Sequence, residues 1–274
     1  MALDPRQSLR IRYAKTLISV LQLGTIDYAT GLRLQERLVE MRKNGQIGDV
    51  LLLLEHLPVI TLGRNAKSKN ILASPELLAQ RGVEVAECDR GGDVTFHGPG
   101  QLVGYPIFDL RGFPAAEGKR QTLGAIEYVR RLEEALIRTC ADFRIPAKRI
   151  CGLTGVWTAT SPEAKIAAIG VHISRAVTSH GFALNVNNDL SYFDLIIPCG
   201  ISTRPVTSMA RELGRPLDML EGAHALSRHF GQVFQSQILW VESLEALLGP
   251  AVGVPMKPPA ELRRVHKEDE TSWA

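Results

Sequence analysis

A cysteine and a lysine in the second half of the chain could together carry acyl-transfer chemistry. Cys199 lies between a proline and a glycine, where a turn can expose its thiol. A thiolate is a good nucleophile toward thioesters, and the acyl adduct that it forms is itself a thioester. Lys165 opens an apolar strand-like segment, and burial there would disfavour its charged form, so that its amine could take a proton. The residues expected to share its face are Ala167, Ile169 and Val171.

Each of these residues also has a simpler interpretation. A cysteine is often a buried structural residue, and a lysine at the end of a strand is usually a solvated charge. Among the other cysteines, Cys88 and Cys140 fall in strand and helix patterns and are predicted to be core, whereas Cys151, beside a glycine, is the one alternative nucleophile. The histidines that could replace Lys165 as the base are His97, His172 and His180.

A glycine-rich segment, residues 90–101, combines Arg90 and His97 with four glycines. Its spacing matches neither the P-loop nor the dinucleotide fingerprint, so a phosphate cradle of either kind is not indicated. A tight β-turn is the simpler interpretation, but the guanidinium fork and the titratable ring favour contact with a ligand. Further on, Gly181 and Ala183 would leave room for an alkyl chain with Phe182 as a wall, or would form a tightly packed core strand.

Composition excludes several classes of protein. The 274 residues are 45% hydrophobic and 22% charged, which is ordinary for a globular protein of one large or two small domains. The net charge of +3 comes from basic residues that form no block, so nucleic acid is not indicated, whereas a weak encounter with an acidic protein would suit it. No CxxC motif and no zinc-spaced histidine pair is present, so we expect no metal and no cofactor. The N-terminus has no apolar signal region and no run could span a bilayer, which predicts a cytoplasmic protein with reduced thiols and no membrane partner.

Hydrophobic periodicity predicts more strands than helices, without regular alternation of the two. The predicted helices are 27–43, 75–81, 121–143 and 217–234. The predicted strands are 17–23, 50–54, 59–62 continuing the same sheet, 83–88, 102–110, 155–159, 166–174 and 181–186. Pro106 is expected to place the strand 102–110 at an edge or a bulge. This pattern predicts an α+β fold with a mixed, largely antiparallel sheet flanked by helices.

The chain is predicted to hold one catalytic domain, residues 10–245, followed by a tail, residues 246–274. The tail is rich in proline and charge, so we expect it to be poorly ordered.

Four runs of the sequence, in this order, closely resemble the octanoyltransferases, or lipoyl(octanoyl) transferases. They are RGGDVTFHGPGQLVGYPIFDL (90–110), KIAAIGVHISR (165–175), TSHGFALNV (178–186) and IIPCGI (196–201). The resemblance implies a fold of the biotin and lipoate protein ligase type. It implies an acyltransferase that moves an octanoyl group from acyl carrier protein to a lysine of lipoyl domains, the first step of protein lipoylation. The acceptors implied are the glycine-cleavage H protein and the E2 subunits of 2-oxoacid dehydrogenases, and the expected state is a monomer.

The resemblance also assigns roles to residues. It implies that Cys199 is the acyl-accepting nucleophile and that Lys165 lowers the pKa of the thiol. The residues that it implies bind substrate are Arg90, Gly91, Gly92, Asp93, Val94, Thr95, Phe96 and His97 in the loop, with Ala168, Ile169, Gly170, Gly181, Phe182 and Ala183 along the acyl chain. The sequence departs from the family at His172, where many relatives have arginine, and at Asp93, where some have lysine or glutamine. Both departures bear on docking of the donor and leave the type of reaction unchanged.

Three other functions stay open at this point. An ATP-dependent lipoate or biotin ligase of the same fold would need an adenylate site and no nucleophilic cysteine. A cysteine thioesterase would pair Cys199 with His97 or His180. A non-catalytic module that binds acyl carrier protein or nucleic acid would need neither Cys199 nor Lys165.

Overall fold

The protein was described with a computed structural model that covers residues 16–115, 122–198 and 204–248. Its strands are β1 (Leu17–Ile26), β2 (Asp49–His56), β3 (Val59–Leu62), β4 (Glu84–Glu87), β5 (Val94–His97), β6 (Gln101–Ile107), β7 (Ala147–Ile150), β8 (Leu153–Thr158), β9 (Lys165–Ser174), β10 (Val177–Asn185) and β11 (Gln237–Val241). Its α-helices are α1 (Tyr28–Lys43), α2 (Pro75–Gln80), α3 (Ala125–Asp142), α4 (Met209–Leu213), α5 (Met219–Val233) and α6 (Leu244–Leu248).

Within these residues, eight strands form one sheet in the order β11-β1-β2-β6-β10-β9-β8-β7. The pairings of β1 with β11 and with β2 are parallel, and the others are antiparallel. A second, smaller sheet has the order β4-β3-β5. The predicted α+β class with a mixed, largely antiparallel sheet is confirmed.

Helices cover both faces of the large sheet. On one face, here called the α3/α5 face, α3 and α5 pack against alternate strand residues such as Leu51 and Leu53. On the other, the α1 face, α1 packs against Leu52 and Leu54. Burial on both faces explains why the sequence of β2 is a continuous apolar run rather than an alternating one.

The sequence predicted that the strand 59–62 continues the large sheet, but the structure shows that it does not. Instead β3 pairs with β4 in parallel and with β5 in antiparallel fashion. The strand β5 lies inside the glycine-rich segment, so that segment is not a simple loop or turn. Only four residues long and flanked by glycines, β5 gives too short a pattern to be recognised from the sequence.

Pro106 lies in an interior strand, so the prediction of an edge or a bulge is wrong. Strand β6 is hydrogen-bonded to β2 on one side and to β10 on the other, but its ladder with β10 ends at Gly104. Beyond that point Gly181 leaves space for the proline ring, because a Cβ there would come within 2.6 Å of the ring Cδ. The Thr178 hydroxyl donates to the Pro106 carbonyl at 2.7 Å and so replaces a bond of the ladder.

Helix α3 begins at Ala125, four residues later than the pattern predicts, and Gly124 is its N-cap. Leu123 precedes the helix and donates its N–H to the carbonyl of Phe113. Cys140 is fully buried on this helix, as predicted, and burial raises the pKa of its thiol to about 12. Strands β7 and β11 were not predicted.

The predicted start of the tail, residue 246, falls within α6. Leu247 and Leu248 of this helix pack against the core on the α1 face. Residues 249–274, the rest of the predicted tail, lie outside the described residues. In the part of the chain that is described, no helix has the length and apolar character needed to cross a membrane.

Candidate active site

A narrow cavity of about 40 Å³, here called the central cavity, lies between the α1 face of the large sheet and the small sheet. Alternate residues of β9 and β10 border it, namely Ala168 and Gly170 on one strand and Gly181 and Ala183 on the other. They face each other in register, since Ala168 pairs with Ala183 and Gly170 with Gly181. Because these side chains are small or absent, space for a ligand remains where a core would otherwise fill in.

Ile169 and Phe182 also border the central cavity, but their side chains pack in the core of the α3/α5 face. The Phe182 ring lies 5.6 Å from that of Phe230 on α5, and a Cβ at Gly104 would clash with it at 2.0 Å. The two-residue period of a strand therefore divides the predicted acyl-site residues between the two faces of the sheet.

The predicted substrate-binding loop covers the central cavity from the side of the small sheet. Gly91 donates its N–H to the carbonyl of Val171 at 3.0 Å, which fixes the loop against β9. Only glycine fits at position 170, because a Cβ there would lie 2.7 Å from the Gly91 carbonyl oxygen. The glycines thus allow close packing of two backbones at the edge of the cavity.

Arg90 is buried in the wall of the central cavity, with an exposed fraction of 8%. Its guanidinium donates to the Thr61 carbonyl at 2.7 Å, to the Thr61 hydroxyl at 2.9 Å and to the Gly91 carbonyl at 3.2 Å. Among the described residues, all of its hydrogen-bond acceptors are uncharged oxygens. A buried cation without a carboxylate partner leaves net positive charge beside the cavity.

The eight predicted loop residues do not share one role. Arg90, Gly92, Thr95 and His97 line the central cavity. The side chains of Val94 and Phe96 point to the opposite side of β5 and pack in a separate core. The Asp93 carboxylate accepts from the Asn70 amide at 2.6 Å and from the backbone N–H of Lys67, so it connects the loop to the segment after β3.

His97 begins a chain of buried hydrogen bonds. Its Nδ1 donates to Oε1 of Gln101 at 2.8 Å, and the Gln101 amide donates to Asn185 at 2.9 Å. Asn185 in turn donates to the carbonyl of Thr207 at 2.9 Å. Burial, aided by the nearby charges of His56 and Arg90, lowers the pKa of His97 to about 3. His97 therefore stays neutral at physiological pH and is a weak candidate for a general base.

Three residues that the sequence analysis missed, Tyr28, Val103 and Tyr105, complete one end of the central cavity and its floor. The Tyr105 hydroxyl donates to Nε2 of His56 at 2.6 Å, and Nδ1 of His56 donates to the carbonyl of Ile26. Burial lowers the pKa of His56 to about 4 and raises the pKa of Tyr105 above its usual range. The alternation of Val103 and Tyr105 around Gly104 in β6 was the sequence signal that could have identified these two residues, and Tyr28 on α1 had no such signal.

Lys165 does not lie on the face that the sequence predicted, because the register between β8 and β9 contains a bulge. Trp157 pairs with Lys165 and Val156 with Ala167, so Ile166 is an extra residue on β9. Both Ile166 and Ala167 consequently pack on the α3/α5 face. The bulge turns Lys165 to the opposite face from Ala167, and Lys165 is not among the residues that line the central cavity.

The amine of Lys165 has an unusual environment for a lysine. The residue is 6% exposed, and its Nζ lies 4.8 Å from the ring centroid of Trp157. Among the described residues, no hydrogen bond or ion pair is made by this amine. A second cation, Arg204, lies 5.6 Å from the same ring and pairs with Glu163.

Cys199 lies outside the described residues, so its position relative to Lys165 stays a prediction. The described residues on either side of it, Pro198 and Arg204, line one groove together with Val206. The chain after Arg204 runs beside Lys165, whose N–H donates to the Pro205 carbonyl at 2.8 Å and whose carbonyl accepts from Thr207 at 3.0 Å.

The other cysteines and histidines of the prediction lie in different surroundings. Cys151 is exposed in the turn between β7 and β8, and Cys88 is half-buried directly after β4. The half-exposed Asp89 carboxylate contacts two histidines, Nδ1 of His172 and Nε2 of His180, the latter at 2.6 Å. In the described part of the chain, no group of three or more side chains could hold a metal ion.

Comparisons with a family model and with known proteins indicate the same family for this chain. The family model for the lipoyl protein ligase A/B catalytic domain matches residues 27–231. The chain is 62% identical to an octanoyltransferase of Koribacter versatilis, over 92% of this chain and 98% of that protein. It is 61% identical to an octanoyltransferase of Acidobacterium capsulatum, over 85% of this chain and 96% of that protein.

Solved structures support the fold. A bi-partite lipoate protein ligase of Thermoplasma acidophilum, described with its E2 lipoyl domain, superposes with a TM-score of 0.62 at 14% identity, covering 83% of this chain and 87% of that one. A lipoate-protein ligase A bound with ATP gives a TM-score of 0.60 at 14% identity, covering 84% of this chain and 88% of that one. With this fold and these relatives, the chain belongs to the octanoyltransferases of the lipoyl protein ligase A/B family and is an acyltransferase.

Proposed function

We propose that this enzyme transfers an octanoyl group from octanoyl-acyl carrier protein to a lysine ε-amine of a lipoyl domain, by way of a thioester on Cys199. The names of its relatives support the octanoyl group. The T. acidophilum ligase of the same fold, described together with an E2 lipoyl domain, supports the class of acceptor. The glycine-cleavage H protein and E2 subunits are the proposed acceptors, and a monomer in the cytoplasm is the proposed working form.

The observation that carries this proposal is the environment of Lys165. Its amine is buried against an indole ring, has no anionic partner among the described residues, and belongs to the strand that lines the central cavity, three residues before the first lining residue, Ala168. Among the described residues no carboxylate competes for this amine, which leaves it available as the proposed proton-transfer group.

In the first half-reaction, the Lys165 amine takes the proton of the Cys199 thiol. The thiolate attacks the carbonyl carbon of the donor thioester, and the bond from that carbon to the sulfur of the carrier breaks. The thiolate of the carrier leaves and takes a proton from the Lys165 ammonium. One thioester has replaced another, so the exchange is nearly thermoneutral and needs no nucleotide.

In the second half-reaction, the amine of the acceptor lysine attacks the acyl-enzyme. The new C–N bond forms as the bond to the Cys199 sulfur breaks, and the nitrogen gives up a proton to Lys165, which passes it to the Cys199 thiolate and so restores the free enzyme. A thioester becomes an amide, which is strongly downhill. The free energy of amide formation therefore drives the transfer without ATP.

The central cavity is the proposed site for the alkyl chain. Its small residues on β9 and β10 border a narrow cavity whose walls are largely apolar. Each buried methylene contributes about 0.8 kcal/mol to binding, so a matched chain gains affinity along its whole length.

The test is a transfer assay with purified protein, octanoyl-acyl carrier protein and an acceptor lipoyl domain, with no nucleotide present. We expect octanoylated acceptor at a rate unchanged by added ATP. Modification only in the presence of ATP would indicate a ligase, and release of free octanoate without modified acceptor would indicate a thioesterase. Either result would overturn the proposal. Full transfer by Cys199→Ala would remove the covalent thioester from the mechanism.

A further inference from the structure

His180 occupies an unusual backbone conformation in the middle of β10. Its φ is +54°, in the left-handed region that histidine rarely adopts, directly before Gly181. Its backbone N–H donates to Oε1 of Gln35 on α1 at 2.7 Å, and its ring donates to Asp89 at 2.6 Å. Such a conformation persists only where its surroundings hold it. Backbone and ring are therefore both fixed by residues distant in sequence.

The His180 ring separates two spaces. One is the central cavity, where Tyr105 lies edge-on to His180 with 6.4 Å between ring centroids. The other is a groove on the surface between α1 and the β9–β10 hairpin, here called the hairpin groove, which Asp89 and His172 line. His180 borders both spaces, whereas Tyr105 borders only the first and Asp89 only the second. The ring is thus a wall between the cavity and the surface.

The strands give the central cavity a direction. Ala168 and Ala183 form a pair at the end near Lys165, which lies three residues earlier on β9. His180 pairs with Val171, three residues further along β9 than Ala168. At about 3.3 Å per residue, this spacing is about 10 Å, which is close to the length of an extended eight-carbon acyl chain. This step rests on the proposed function, with the reacting carbonyl placed level with the Ala168–Ala183 pair, at the end of the cavity that is nearer to Lys165.

We infer that the His180 ring is the stop against which the methyl end of the acyl chain abuts, and that it sets the preference for eight carbons. Straight-chain acyl thioesters of ten or twelve carbons would have to displace this ring to reach the hairpin groove. Asp89 holds the ring from outside the cavity, so the barrier does not depend on packing alone.

Two variants at position 180 test the assignment. His180→Gly suits the left-handed conformation and removes the wall, and His180→Asn also tolerates that conformation but keeps a shorter polar side chain. His172→Ala is the matched control, because it removes the other histidine of Asp89 and leaves the wall in place. The substrates are acyl carrier protein thioesters with six, eight, ten and twelve carbons. The readouts are kcat/KM for each length and the mass of the acyl-enzyme, with melting temperature as a check on folding.

In the wild-type enzyme, we expect kcat/KM to fall at least about tenfold between eight and twelve carbons. His180→Gly should raise the ratio of the twelve-carbon to the eight-carbon value by about tenfold or more. His180→Asn should raise it less, and His172→Ala should leave the order of lengths unchanged.

An unchanged order of lengths in a folded His180→Gly protein would overturn the inference, as would an equal change in His172→Ala. If His180→Gly does not fold, the same criterion applies to His180→Asn. These results differ from a failure of the proposed function, in which the wild-type enzyme would transfer no octanoyl group from the carrier. Wild-type transfer of octanoyl with no effect of position 180 would reject the wall and leave the transferase intact.

Discussion

The two ends of the central cavity differ in how their polar groups are satisfied. At the end bounded by Tyr105 and His180, each side chain has a hydrogen-bond partner, and both are held by residues outside the cavity. Beyond the other end, three residues before Ala168 on β9, the amine of Lys165 lies over an indole ring with no hydrogen bond to any described residue. A buried polar group is normally paired, and in the described part of the chain this amine has only its contact with the indole ring. This difference is expected if the His180 ring bounds the cavity and the Lys165 amine takes part in the reaction.

The largest effect is expected at the Lys165 end. Lys165→Met should lower kcat/KM for octanoyl transfer by about 10²–10⁴-fold, the range for loss of a proton-transfer group. Lys165→Arg is the matched control, since it keeps a charge that does not ionise at working pH, and should not restore the rate. Steady-state transfer assays check both variants. A Lys165→Met enzyme that forms the acyl-enzyme at the wild-type rate would favour a histidine as the base.

The two buried histidines His97 and His56 should make the stability of the protein depend on pH. The pKa values of His97 and His56 fall from 6.5 in the unfolded chain to about 3 and about 4 in the folded protein, mainly through burial. At pH values between the folded and the unfolded pKa, the unfolded state therefore binds more protons than the folded state. The stabilising contribution is complete above pH 6.5 and is lost as pH falls toward 3 to 4.

His97→Gln, which cannot titrate, should flatten this fall. One proton corresponds to at most about 1.4 kcal/mol per pH unit. Urea denaturation at pH 7 and pH 5 measures the difference, and the variant should lose less stability than the wild type between these values. Parallel curves for the two proteins would show that His97 is not held neutral by burial.

A smaller effect is expected from removal of the Tyr105 hydroxyl. Tyr105→Phe leaves Nε2 of His56 without its donor, which should cost about 1–3 kcal/mol of unfolding free energy. The matched control is Tyr192→Phe, because the half-buried Tyr192 ring stacks on Phe96 and its hydroxyl has no hydrogen bond among the described residues. Chemical denaturation of both variants gives the comparison. Equal losses would mean that the His56–Tyr105 bond contributes little.

The smallest effect is expected at Cys151. Its side chain is exposed in a turn, and surface substitutions away from special features usually change stability by less than about 0.5 kcal/mol. Cys151→Ser should therefore transfer octanoyl at the wild-type rate and form the same acyl-enzyme. Loss of the acyl-enzyme in this variant would transfer the role of nucleophile to Cys151.

The sequence predicted those features of the site that depend on local pattern. The pattern left Gly181 and Ala183 between an alkyl-chain site and a core strand, and the family resemblance added Ala168 and Gly170; the structure places all four beside the central cavity. The long helices and the class of sheet likewise follow from periodicity and order. These signals lie within short stretches of chain.

The features that were missed depend on contacts between distant segments. The face of Lys165 is decided by a bulge against β8, and strand periodicity in β9 alone predicts the opposite face. The conformation of His180 depends on Gln35, which lies 145 residues away. Pro106 is tolerated inside the sheet because Gly181 and Thr178 make room for it and bond to it. Pairing between such residues is set by the fold and is not readable from one segment.

The account rests most directly on a covalent intermediate at Cys199, promoted by Lys165. Intact-mass measurement after mixing the enzyme with octanoyl-acyl carrier protein, without nucleotide or acceptor, tests this directly when followed by peptide mapping of the adduct. We predict one octanoyl group per chain, located on Cys199, that is lost when a lipoyl domain is added and forms far more slowly in Lys165→Met. An enzyme that modifies the acceptor while never carrying the octanoyl group, or that carries it on another residue, would contradict the account.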